Sequence, residues 1–173
     1  MKKLFQLRAL PVAAVMLFIS VCASAQDAKP AASPADSVSG KVGKANVTIK
    51  YSSPSVKERK VWGSLVPYGQ VWRAGANKAT TFTTDKAIKV EGKALPAGTY
   101  SFFTIPTEGE WTIIFNKVAE QWGAYKYEQK DDVLRVTVKP VKAAAFSERL
   151  TYALNKGGIT LTWENVTVPV SIK

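Results

Sequence analysis

Apolar residues recur at every second position through much of this sequence, a spacing that suits strands with one buried face and little else. Val47, Ile49 and Tyr51 alternate with Asn46, Thr48 and Lys50. A period of two puts the first set on one side of a pleated strand and the second on the other. The signal returns in Ile88 and Val90, in Leu134, Val136 and Val138, and in Leu150, Tyr152 and Leu154. It closes the chain in Ile159, Leu161 and Trp163, followed by Val166, Val168, Val170 and Ile172. Turn chemistry separates the runs: Pro54, Glu91-Gly92-Lys93, Pro96-Ala97-Gly98, Pro106 with Gly109, and Gly157-Gly158. Residues 100–105 and 111–116 are apolar at nearly every position, which places them inside a stack with both faces covered. A single helical turn is expected at residues 118–121. Eight or more short strands without long helices define an all-β chain, an antiparallel β-sandwich or a jelly-roll-like barrel.

The start of the chain has a different character. Lys2, Lys3 and Arg8 precede an apolar stretch from Ala9 to Val21, and Ala23-Ser24-Ala25 offers a small-residue cleavage site before Gln26. The apolar stretch is too short to anchor in a bilayer. Residues 1–25 therefore read as a signal peptide, and the expected location is extracytoplasmic, periplasmic or secreted. Cys22 leaves a second reading open, a lipidated N-terminal residue that would bring membrane contact; Val21 is bulkier than the small residue that such processing favours. Residues 26–37, made of Ala, Pro, Ser, Asp and Lys, lack apolar periodicity and are expected to form a flexible, disordered linker. Residues 38–173 are then one domain, long enough to bury a core without staples.

Cleavage would remove the only cysteine from a chain with no histidine. Ser-His and Cys-His nucleophilic sites, His- or Cys-ligated zinc and haem with such ligands are closed to the mature protein. An enzyme would have to work with Asp, Glu, Lys or Tyr. Glu128, Asp131, Asp132, Glu148 and Glu164 are candidate carboxylates, but nothing in their spacing pairs two of them as a glycosidase requires. Asp131-Asp132 lacks the alternating ligands of a calcium loop, and no Ser-x-x-Lys opens a helix. No catalytic residue, metal or cofactor is assigned.

The net charge is +11, of which the leader's three basic residues supply three. Lys41, Lys44, Lys50, Lys78, Lys89 and Lys139 are scattered singly rather than gathered in a block, which reads as a solvated face with protected strand edges and not as a nucleic-acid surface.

The densest run of unusual residues is Tyr68-Gly69-Gln70-Val71-Trp72-Arg73-Ala74-Gly75-Ala76-Asn77-Lys78-Ala79-Thr80. Leu95-Pro96-Ala97-Gly98-Thr99-Tyr100, Gln121-Trp122-Gly123-Ala124-Tyr125 and Asp132-Val133-Leu134-Arg135 follow it in order. With these four motifs the chain resembles family 2911 of the domains of unknown function, a set of secreted bacterial proteins, over about residues 38–172. The resemblance implies the domain boundaries and the location and brings no activity. Where it implies a Gly-Arg pair after Tyr-Ser-x-Pro, this chain has Glu58-Arg59, which leaves open whether the backbone there keeps a geometry suited to glycine.

Physically, the Trp-Arg-x-Gly-Ala-Asn run reads as a constrained loop entering a strand. Gly69 and Gly75 supply positive φ or close backbone approach, and Asn77 bonds its own backbone or a neighbouring loop. Among many lysines the mature chain has four arginines, Arg59, Arg73, Arg135 and Arg149. Arg73 is expected either to pair with Asp131, Asp132 or Glu148 or to bind an anion in a pocket. Trp111 and Trp163 lie in strands and are expected in the core. Trp72 and Trp122 lie in Gly-containing loops near Asn77, Gln121, Tyr125 and Tyr127; they either plug the end of the fold or stack on a sugar ring. The leading functional reading is a non-enzymatic binding or envelope-associated module, its partner a carbohydrate or other envelope component, with Tyr68, Trp72, Arg73, Asn77, Trp122 and Tyr125 as ligand-binding residues. A carboxylate-dependent hydrolase of envelope glycans and a structural or partner-binding domain are the alternatives.

Overall fold

The computed structural model describes residues 31–173; the leader, Cys22 and the first five residues of the linker lie outside them. The described chain is built from antiparallel strands with one short 3-10 turn, Gln129–Asp131, and no α-helix. Six strands form the first sheet: β1 (Ala35–Val42), β2 (Ala45–Ser52), β3 (Thr80–Thr84), β6 (Gly98–Ile105), β7 (Trp111–Asn116) and β8 (Asp132–Val138), in the order β1-β2-β3-β6-β7-β8. Alternation in the sequence becomes alternation in burial: Val47, Ile49 and Tyr51 on β2 and Leu134, Val136 and Val138 on β8 point into the core. The inner positions of β6 and β7 explain why both are apolar on two faces. Phe102, Ile113 and Phe115 enter the main core, while Phe103 and Ile114 pack on the opposite side with Ala79, Val71, Ala124 and Tyr127.

The facing layer is built on β9 (Val141–Asn155) and β10 (Gly158–Ser171). β10 is not one straight strand. Its buried residues change phase between Trp163 and Val166, the register with β9 shifts on both sides of Glu164, and Glu164 has φ 55°. An odd-to-even change in a strand needs an irregular residue to restore the inward face. Here the chain turns back on itself, so that the Thr162 and Thr167 hydroxyls meet at 3.0 Å and the Ile172 N–H donates to the Gly157 carbonyl at 2.8 Å. Gly158 makes this approach possible, since a Cβ there would stand 2.0 Å from the Val170 carbonyl oxygen.

The short β4 (Ile88–Val90) and β5 (Lys93–Leu95) pair with each other, and β4 joins the end of β10 through Lys89 and Lys173. On the other side, the chain leaving β2 crosses between layers: Val56 donates to the Glu148 carbonyl and Leu150 to that of Pro54, each bond attaching residues 54–56 to β9. The result is a sandwich of two layers, as strand alternation implied, and not a closed barrel.

Two local expectations are corrected. β1 starts at Ala35, ahead of the expected domain start at Val38, and is an edge strand held to β2 by backbone pairing while most of its side chains face solvent. No helical turn forms at residues 118–121. The Asn116 side-chain oxygen accepts the Val118 N–H (3.0 Å) and the Gln121 amide donates to the Val118 carbonyl (2.9 Å), so side chains satisfy the backbone that a helix would have used.

Candidate functional site

Residues 69–80 are divided between sheet and loop. Trp72 and Thr104 exchange backbone hydrogen bonds of 2.7 and 2.9 Å, and Gly69 donates to the Pro106 carbonyl, so residues 69–72 run beside the end of β6. β3 takes over that same edge of β6 at Thr80, opposite Phe102. Residues 73–79 are therefore an excursion whose two ends meet, closed by the Thr80 N–H donating to the Arg73 carbonyl (3.2 Å). The excursion is anchored from inside: the Thr80 and Tyr152 hydroxyls both donate to the Ala74 carbonyl (2.9 and 2.8 Å), and Ala76 N–H donates to the Ser52 carbonyl. Burial pushes the Tyr152 phenol well above its usual range. The two glycines serve separate purposes. Gly69 holds φ 74°, whereas Gly75 leaves room, because a Cβ there would be 2.9 Å from the Thr80 hydroxyl and 3.1 Å from the Ser52 carbonyl.

Trp72 faces the core, as its pairing with Thr104 on the Phe102 side of β6 dictates. It is 9% exposed, stacks on Trp163 with centroids 5.9 Å apart and meets Trp62 edge-on at 5.6 Å. Trp62 also packs on Trp111 at 4.8 Å and on Trp163 at 5.7 Å. Four indoles thus fill one region of the core, with Trp111 and Trp163 buried as expected. Trp111 donates its ring N–H to the Thr107 carbonyl, while those of Trp62 and Trp163 are buried without an acceptor among the described residues.

Beside this cluster lies a cavity of about 280 Å³, lined by Trp72, Arg73, Asn77, Arg59, Trp163 and Leu65 among others. It brings together three of the expected site residues, Trp72, Arg73 and Asn77. Tyr68 belongs to a separate recess of about 180 Å³ with Trp62 and Trp111. Trp122 and Tyr125 lie outside both, 63% and 85% exposed. Their loop is nonetheless tied to the excursion, since Gly123 N–H donates to the Asn77 carbonyl (3.0 Å) and Ala79 N–H to that of Gln121 (2.9 Å).

The expected pairing of Arg73 with Asp131, Asp132 or Glu148 does not occur. Asp132 starts β8, separated from Trp72 and β3 by β6 and β7, a distance of about 14 Å at sheet spacing. It accepts hydrogen bonds from Asn116 (2.9 Å) and Tyr127 (2.6 Å) and forms an ion pair with Arg135 at 3.4 Å. Burial and the adjacent Asp132 carboxylate raise the Tyr127 phenol above its ordinary value. Asp131 pairs with Lys117 at 3.1 Å, and Glu128 with Lys130. Glu148 accepts the Lys57 N–H at 3.0 Å, and Glu164 sits in the turn of β10. Three of the five candidate acids are thus ion-paired around the 3-10 turn, and Asp131 and Asp132 serve different partners rather than one cation. Arg73 has its Nε buried with no acceptor among the described residues. An unsatisfied donor of that kind costs about 1–3 kcal/mol.

Arg59 is the site residue that the sequence did not single out. Its Nε donates to the Val56 carbonyl (2.9 Å) and its Nη2 to that of Ser55 (2.6 Å), which fixes the guanidinium on the crossing between layers. Glu58 just before it has φ 58°, so the backbone keeps the left-handed geometry although the glycine implied by the resemblance is missing. The available signals were the rarity of arginine and that motif.

Fold and motifs together define a two-layer antiparallel sandwich domain with a loop cavity beside its tryptophan core. A family model described as a protein of unknown function, DUF2911, matches residues 33–172, and the chain belongs to that family. Neither the curated proteins nor the solved structures yield a match.

Proposed function

We propose that the chain is exported, loses residues 1–25, and works outside the cytoplasm as a non-enzymatic binding module of the envelope. The ligand sits in the cavity of Arg59, Trp72, Arg73 and Asn77, with Tyr68, Trp122 and Tyr125 around the adjoining loops. One observation carries the reading: two guanidiniums line a single cavity, and neither has a carboxylate partner among the described residues. Arg59 is exposed and Arg73 half-buried, so a ligand can reach both guanidiniums and supply acceptors for charge-assisted hydrogen bonds.

The test is a thermal-shift screen of the processed protein against sugars, envelope polymers and divalent ions. A ligand at a hundred times its dissociation constant should stabilise the fold by about 2.7 kcal/mol. That gain should be lost in Arg73→Ala. A screen in which every compound leaves the transition unmoved, or in which Arg73→Ala responds like the parent, contradicts the proposal. Mass spectrometry of the mature N-terminus tests the export step. A chain starting at Gln26 is expected, and an intact Met1 or a diacylglycerol on Cys22 would revise it.

A further inference from the structure

We infer that the cavity is specific for a carboxylate-bearing sugar unit, gripped between the Arg59 and Arg73 guanidiniums. The inference rests on the binding-module reading and names its ligand class.

The donors are in surplus. A guanidinium carries five N–H groups and accepts nothing. Arg59 commits two of its donors to the Ser55 and Val56 carbonyls, which orient the group and leave the others unassigned. The Arg73 side chain makes no hydrogen bond or ion pair among the described residues; its Nε, like the Trp163 ring N–H, is sealed from solvent, so the donors that a ligand can reach are those of its Nη groups. Two guanidiniums with donors to spare on one cavity suit a group that only accepts. A carboxylate does so with two coplanar oxygens that match the guanidinium fork, which a compact ammonium could not replace.

The walls narrow the class further. Trp72, Trp163 and Leu65 give the cavity an apolar side, and Asn77 adds an amide able both to donate and to accept. An apolar surface beside a few polar groups suits a sugar ring with its hydroxyls, and about 280 Å³ is enough for one small ring and not for a long chain buried whole.

The backbone is also unusual here. Among the described residues six non-glycine positions have positive φ, and four of them adjoin the two arginines: Lys57 and Glu58 before Arg59, and Ala74 and Asn77 after Arg73. Such conformations cost energy and persist where the surroundings hold them, often at ligand sites. They fix both arginine-bearing segments before any ligand arrives, which lowers the ordering cost of binding.

The experiment titrates the processed protein with D-glucuronate, with methyl β-D-glucoside and with inorganic phosphate, read by calorimetry and by tryptophan fluorescence. Glucuronate should bind at least tenfold more tightly than the neutral glucoside or phosphate. Arg73→Lys and Arg59→Lys, each checked for an unchanged melting transition, should remove most of that tenfold preference. Equal binding of the two sugars, glucuronate binding that ignores both substitutions, or tighter binding of phosphate would overturn the inference. A protein that binds the neutral sugar regardless of charge loses this inference and keeps the binding-module reading; one that is silent to the whole screen loses both.

Discussion

Trp72 and Trp122 each sit in a glycine-containing loop motif with polar neighbours, yet one is a core residue and the other is mostly in solvent. The difference comes from the ladder that each joins. Trp72 bonds to Thr104 on β6, a central strand whose even-numbered residues face the other layer, and its indole is carried into the Trp62, Trp111 and Trp163 cluster. Trp122 bridges only to Lys78, within the excursion that has already left the sheet. Strand pairing with the sheet, and not the local motif, decides which aromatic becomes core.

The sharpest way to break this contrast is to truncate each indole. Trp72→Ala should cost about 3–5 kcal/mol in a urea titration, because it opens a cavity among three packed indoles. Trp122→Ala should stay within about 0.5 kcal/mol. Similar losses at both positions would refute the distinction. The glycines of the two loops provide a smaller version. Gly75→Ala should destabilise by about 2–3 kcal/mol, since its Cβ would press on Thr80 and the Ser52 backbone. Gly123→Ala should cost about 1 kcal/mol, from its φ of 65° and contact with the ring of exposed Tyr125.

Alkaline pH probes the anchoring of the first loop. Burial, with the Asp36 carboxylate accepting its hydroxyl hydrogen bond, pushes the Tyr51 phenol up to about 12. A phenol whose folded pKa lies above its unfolded value of about 10 adds stability that is complete below pH 10 and lost as pH rises through about 12. Tyr152, which packs on Tyr51 at 4.7 Å and donates to Ala74, acts in the same direction. Stability measured by denaturant titration should therefore decline above pH 10, and less steeply in Tyr51→Phe; an unchanged slope in that variant would remove Tyr51 from the account. The smallest effect lies beside Arg59. Glu58→Gly should raise stability by up to about 1 kcal/mol by relieving the left-handed backbone, an increment that differential scanning calorimetry can resolve.

Sequence periodicity revealed strands wherever a one-sided core imposed alternation, as on β2, β8 and β9. It also contained the fold-back of β10, because buried positions pass from odd at Trp163 to even at Val166, although the shift alone does not distinguish a bulge from a turn. β1 was hidden for the opposite reason: an edge strand paired through its backbone with mostly exposed side chains leaves little apolar signature. The candidate site was legible in part. Arginine rarity and the glycine-rich run pointed to Arg73 and Asn77, but Arg59 reaches the same cavity through a crossing between layers, and Asp132, one of the three partners expected for Arg73, lies across three strand spacings. Those are consequences of topology, which spacing along one chain does not encode.

A ligand that binds as proposed meets the cavity and not the exposed aromatics. The direct measurement is a nitrogen-15 NMR titration of the processed protein with whichever compound gives the largest thermal shift, following side-chain N–H signals. The Arg73 Nε–H and Asn77 amide resonances should move in a saturable way while the Trp122 indole N–H stays in place. Movement of the Trp122 signal with Arg73 unperturbed would contradict it.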